Sequence, residues 1–165
     1  MKVRDIVIAV VIIGVVGFIL YNISSTDNTP EIDVTSTPSA TERDLEERFQ
    51  RDIPDDADRV ELKSSGDVMG DTNVSAIASR NLQEGRYLAT VLADLGHPMV
   101  GNGYYAWIGD GENYLLLGRM QQAKGGWLID YDSATDYSEY DEVVVSEQQS
   151  VGTAPENVVL QGTFE

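Results

Sequence analysis

Cysteine is absent from the chain, and histidine occurs once, as His97. The first absence excludes disulfides, thiol chemistry, cysteine-based zinc sites and a lipid-modified cysteine anchor. The second excludes multi-histidine metal sites and any Ser-His-Asp triad not built on His97. Cations are scarce as well, with 11 Lys and Arg against 28 Asp and Glu in 165 residues, a net charge of −17. Such a surface excludes non-specific nucleic-acid binding, which needs clustered cations against phosphate. It also disfavours attachment to anionic lipid headgroups.

One feature stands out from this acidic background. Residues 6–23, IVIAVVIIGVVGFILYNI, carry no charge. Eighteen helical residues span about 27 Å, close to the hydrocarbon thickness of a bilayer. Isoleucine and valine favour strands in water, but in lipid the backbone must satisfy its own hydrogen bonds, which selects helix. The run exceeds the apolar core of a cleaved secretory signal, and no A-x-A site follows it. The pattern predicts an uncleaved, single-pass signal anchor, with Ile6, Ile12, Phe18 and Leu20 toward lipid. Gly14 and Gly17, one turn apart, would let a second helix approach. Lys2 and Arg4 precede the run, and no cation follows it before Arg43. The positive-inside rule then places residues 1–5 in the cytoplasm and the rest outside, at a cell membrane.

Residues 24–40 are rich in Ser, Thr, Asp, Asn and Pro, the composition of a solvated tether. A short amphipathic helix is predicted over 41–53, with Thr41 and Asp44 as a capping box and Pro54 as the stop. Its apolar stripe is Leu45, Phe49 and Ile53, and Arg43/Glu47, Asp44/Arg48 and Glu47/Arg51 are i,i+4 pairs. From about residue 60 the hydrophobic period becomes two. Strands are predicted over 74–81, 86–95, 104–108, 114–120, 126–132, 142–147 and 158–164, with a leading strand at 60–63. Even spacing and Gly-rich punctuation indicate an all-β head over 60–165, a β-sandwich of about seven antiparallel strands or a barrel. Tyr87, Ala89, Val91, Ala93 and Leu95 share one face, as do Trp127, Ile129 and Tyr131, and Val158, Leu160 and Phe164. Leu115 to Leu117 and Val143 to Val145 are apolar on both faces, as in central strands or strands under a helix.

The head contains, in order, Glu84-Gly85-Arg86-Tyr87, a proline loop at 95–98, and Tyr104-Tyr105-Ala106-Trp107-Ile108. Leu117-Gly118-Arg119 and Gly125-Gly126-Trp127 follow, then Asp136-Tyr137-Ser138-x-Tyr140-Asp141, Val145-Ser146-Glu147 and the P-x-x-V-V-L-x-G stretch of 155–162. This progression resembles the extracytoplasmic C-terminal domain of the anti-sigma-K factor family. The resemblance implies a β-sandwich outside the membrane behind one transmembrane helix. The cytoplasmic sigma-binding part of that family has no counterpart in residues 1–5, so direct sigma inhibition is not expected of this chain. Shared fold does not carry function with it. Three readings follow. The first is a non-enzymatic envelope interaction or sensing module with a membrane or envelope protein as partner. The second is an accessory component of a sigma/anti-sigma system. The third is a carboxylate-dependent hydrolase.

Candidate side chains are few. Strand alternation sets Tyr105 and Trp107 opposite to Tyr104, Ala106 and Ile108, leaving aromatic surface for a glycan or protein contact. Asp130, Asp132, Asp136 and Asp141 are hard oxygen ligands of the kind calcium takes. The EF-hand pattern fails, however, because Ala134 stands at the third ligand position and no Gly at the sixth. Asp136, Tyr137 and Tyr140 read instead as a structural turn, and no cofactor is expected. Asp94, expected on an exposed face, and Asp110 with Glu112 at a hairpin turn would be the carboxylates available to a glycosidase pair. His97, before Pro98, reads as a surface-loop residue.

Overall fold

The computed structural model describes residues 39–65 and 74–165. The anchor run, with Ile6, Ile12, Gly14, Gly17, Phe18 and Leu20, and residues 24–38 lie outside them. Among the described residues, no helix is long and apolar enough to cross a membrane.

The described chain opens with helix α1, Ala40–Phe49. Its capping box is Ser39 and Glu42, two residues ahead of the expected Thr41 and Asp44. The Ser39 hydroxyl accepts from the Glu42 amide while the Glu42 carboxylate takes the Ser39 amide. The box therefore takes its serine from the stretch expected to be tether. The helix ends at Phe49, four residues short of the expected end at 53, where Gln50 turns into the left-handed region at φ 53° and its N–H bonds back to Glu46 and Glu47. Ile53 nonetheless continues the stripe: Leu45, Phe49, Ile53 and Ala57 pack with Ile77 and Leu92.

Ten strands follow: β1 (Asp58–Glu61), β2 (Lys63–Ser64), β3 (Ala76–Gln83), β4 (Arg86–Ala93), β5 (Gly103–Gly109), β6 (Tyr114–Arg119), β7 (Gln121–Ala123), β8 (Gly126–Ser133), β9 (Glu142–Gln148) and β10 (Val158–Thr163). They form two five-stranded antiparallel sheets, ordered β1-β3-β4-β8-β7 and β2-β10-β9-β5-β6. One core is shared by both sheets, with Ala78, Val91 and Ile129 from the first and Ala106, Ile108, Val143, Val145 and Leu160 from the second. That is the arrangement of a sandwich. The two-residue turns Glu84-Gly85 and Lys124-Gly125 have positive φ at both positions, the geometry matched to strand twist in tight hairpins.

All seven expected strands form, with ends shifted by one or two residues. The leading strand is split, with β1 and β2 in different sheets on either side of buried Leu62. The short polar strand β7 was not anticipated. The inward faces of β4 and β8 are as expected, since Tyr87, Ala89, Val91 and Ala93 are core, with Trp127 and Tyr131 against it. Two expectations about faces are corrected. Val158 does not share a side with Leu160 and Phe164, because pairing shifts between Val158 and Leu160, and the bulge turns Val158 to the outside. The Leu115 to Leu117 run is not central, since β6 is an edge strand. It is apolar on both faces because Leu116 enters an outer aromatic cluster while Leu117 lies in the core. Val143 to Val145 do lie in a central strand.

The helix covers the outer face of the first sheet through its apolar stripe, and ion pairs bridge the edges of that contact. Arg48 donates to both Asp94 oxygens at 2.5 and 3.1 Å and to the Gly125 carbonyl, and Arg51 reaches Asp130 at 2.6 Å. Asp94 is thus half-exposed and committed, where a free surface carboxylate was expected. Gly126 seats the helix: a Cβ there would stand 2.6 Å from the Phe49 ring and 2.7 Å from the Ala93 carbonyl. Phe49→Ala is expected to cost about 3–5 kcal/mol as a cavity, and Gly126→Ala about 1–3 kcal/mol by overpacking the same contact. Denaturant unfolding of both variants measures these losses.

Candidate functional site

Tyr105 and Trp107 do face outward from the second sheet, as alternation predicts, but they offer no open aromatic surface. Their exposures are 8% and 1%. They pack with Val144, Tyr114, Leu116 and Val158. Indole nitrogens are buried only with an acceptor, and Trp107 Nε1 donates to Ser146 Oγ at 2.9 Å. That hydroxyl in turn donates to Gln148 Oε1 at 2.9 Å, which also accepts from the Glu156 amide. Gln148 Nε2 then donates to the Ser150 carbonyl. The network ties the connection after β9 to the outer face. Trp107 and Ser146 stand out in the sequence, but nothing in it links either of them to Gln148.

Of the four aspartates considered for a cation, Asp130, Asp132 and Asp136 have carboxylates that serve other partners. Asp130 accepts from Arg51 and from Thr90 Oγ1, and Asp132 accepts from Arg86 at 2.8 Å. Asp136 caps its own turn, taking the Ser138 amide and hydroxyl, with the hydroxyl bond the main reason its carboxyl lies below the usual range. Asp141 receives the Phe164 amide on its backbone carbonyl. Among the described residues no group of three or more His, Asp or Glu side chains could hold a metal ion.

The turn of Asp136, Tyr137 and Tyr140 is built into the fold. Tyr137 stacks on Tyr140 at 6.0 Å and meets the Tyr87 ring edge-on at 5.8 Å. Arg80 donates to the Ser138 and Tyr140 carbonyls and to Asp58, and its guanidinium lies 4.4 Å from the centre of the Phe164 ring. Asp110 closes the β5–β6 turn by accepting from the Asn113 and Glu112 amides, and the Asn113 bond leads in holding its carboxyl below the usual range. A carboxylate so held stays ionised at neutral pH, which suits a cap rather than a general acid.

Among the described residues, hollows along β1 and β10 and beside α1 have the size of small-molecule pockets. The larger, about 690 Å³, lies along β1 and β10 and is lined by charged groups, including Glu61, Lys63, Glu142 and Glu165. The smaller, about 330 Å³, separates the chain after α1 from the outer face of the first sheet. Ile53, Ala57 and Leu88 give it apolar walls, and the Arg51–Asp130 pair stands at its rim with both side chains about half exposed. An exposed pair is weak and exchangeable, so the rim can trade it for a ligand's own charge. Beside it, Arg59 is buried with Glu46 at 3.6 Å, and its NH2 group donates to the Ile53 and Pro54 carbonyls. Burial outweighs Arg59 there and pushes the Glu46 carboxyl up. Sequence spacing did not reveal this crevice because Arg51 and Asp130 are far apart in the chain.

The remaining prominent feature is the connection from β4 to β5. His97 is exposed there, as expected. Met99 and Val100 are the most exposed large apolar residues, at 63% and 105%. Glu147 holds this loop from below, accepting from the Met99 amide at 2.6 Å and from Asn102 Nδ2 at 3.0 Å. Comparison with family models, with curated proteins and with solved structures finds no match to this chain.

Burial pushes the Tyr87 and Tyr104 hydroxyls up to about 12 from an ordinary 10.0, with Glu147 adding to the effect at Tyr104. A folded-state value above the unfolded one means stability is whole below pH 10 and falls as pH rises through 12. Denaturant midpoints measured across that range should be flat up to pH 10 and then decline. A flat profile to pH 12 would place both hydroxyls in water.

Proposed function

We propose that this chain is a single-pass membrane protein that presents a non-enzymatic, acidic β-sandwich outside the cell membrane. The head would act as an interaction or sensing module for an envelope or membrane protein. One observation carries the reading. Residues 6–23 form an uncharged run preceded by Lys2 and Arg4, and every acidic residue except Asp5 follows it. Charge placed in this way orients a spanning helix with its short end inside.

The two-sheet head suits that role. Its turns are tight or capped, and its outer aromatic cluster is covered, so it presents a rigid surface without a disulfide. The resemblance to the anti-sigma-K outer domain agrees with a head carried outside the membrane. The crevice of Arg51, Asp130 and Leu88 gives a protein partner a place to insert a side chain.

The absence of cysteine makes topology directly measurable. Glu112→Cys, at the exposed β5–β6 turn, should be labelled by a membrane-impermeant maleimide on intact cells, and the chain should resist carbonate extraction. Labelling only after lysis, or release by carbonate, would contradict the proposal.

A further inference from the structure

We infer that the head rests on the outer surface of the lipid bilayer through an apolar tip formed by Met99 and Val100, with Val151 beside them. The inference rests on the anchored reading above and adds which end of the head meets lipid.

Strand register sorts the head into two ends. Ser39, where the described chain begins, donates from its hydroxyl to Glu61, the last residue of β1. Glu61 pairs with Ile77, and Ile77 with Leu92, next to the connection that carries Met99 and Val100. Gly103 pairs with Gln148, which brings the connection after β9, and with it Val151, to the same end. The two connections abut, since a Cβ on Gly101 would lie 3.6 Å from Gln149 Nε2. The described chain therefore begins at the end that carries the tip. Residues 24–38 are fifteen in number, which limits their span to about 50 Å when fully extended.

Charge is divided between the same two ends. Residues 95–109 contain no charged side chain, and neither do residues 148–155. At the far end the turns carry Glu84, Asp110, Glu112, Asp136, Glu139 and Asp141. Acids also stand at the near end, but Asp94 is paired with Arg48 and Glu147 is committed to the Met99 amide, with Glu61 and Glu156 beside them, so the turns of the far end are the more acidic. An anionic surface repels the far end more than the near one, over a Debye length of about 8 Å at physiological salt.

The tip is also ready-made. The Asn102 amide closes a turn on the Met99 carbonyl at 2.9 Å, with Gly101 at φ +90°, where a side chain would be strained. Val100 occupies the leading corner, and Glu147 fixes the turn from within. Because the backbone of the turn is already fixed, only side-chain freedom is lost on entering the headgroup boundary.

The test uses the full-length chain in vesicles of phosphatidylcholine and phosphatidylglycerol, carrying an environment-sensitive fluorophore on Val100→Cys or on Glu112→Cys. Val100 is fully exposed, so its replacement leaves the core untouched. The expected result is blue-shifted emission at position 100, quenched several-fold more strongly by spin-labelled lipid than emission at 112. Water-like emission at both positions overturns the inference. So does a blue shift at 100 that spin-labelled lipid does not quench, which would identify a second copy or another protein as the occupant. Carbonate extraction of the same vesicles separates the two proposals. A retained chain with a water-like tip defeats the docking alone, a released chain with a lipid-quenched tip defeats the anchor alone, and a released chain with a water-like tip defeats both.

Discussion

The contact on which the rest of this head depends is the seat of α1 on the first sheet. Ile77 and Leu92 point away from the shared core, and without a cover two fully buried residues would face water. Leu45, Phe49 and Ile53 supply the cover, and the bare Cα of Gly126 lets Phe49 come close. Ten residues of helix would be marginal alone in water, so the sheet stabilises the helix as much as the helix shields the sheet. The second sheet solves the same problem from its own side chains, laying Trp107 and Tyr105 over Val144.

The seat also sets how the head is presented. Arg48 locks the helix to Asp94 and Gly125 at the end where the chain arrives, and Ser39 is fixed to Glu61 at that end. The acidic turns that carry Glu84, Asp110, Glu112 and Asp136 are left at the other end, away from the exposed Met99 and Val100.

Much of the fold was legible where local chemistry decides it. Glu84-Gly85 demanded a tight hairpin, the alternation from Tyr87 to Ala93 fixed an inward face, and Leu45, Phe49 and Ile53 announced a buried stripe. What escaped depends on partners distant in sequence. The cap is the exception, since Ser39 and Glu42 form a local S-x-x-E box that wins over Thr41 and Asp44. Val158 turned outward through a bulge that period-two reading cannot register. Leu116 mimicked a central strand because an edge residue was covered by an aromatic cluster. Trp107 was assigned to the correct face and the wrong environment, since alternation gives direction but not cover. The aspartates were legible as acids, while their commitment to Arg51, Arg86 and Ser138 could be read only in three dimensions.

The account stands on the helix being a permanent third layer, and native-state hydrogen exchange on the full-length chain addresses that directly. Amides of residues 43–49 should be protected to the same level as those of β3 and β4 and should open together with them. Fast exchange in the helix over protected strands would contradict the account, leaving the outer face of the first sheet uncovered and its two ends without a fixed orientation.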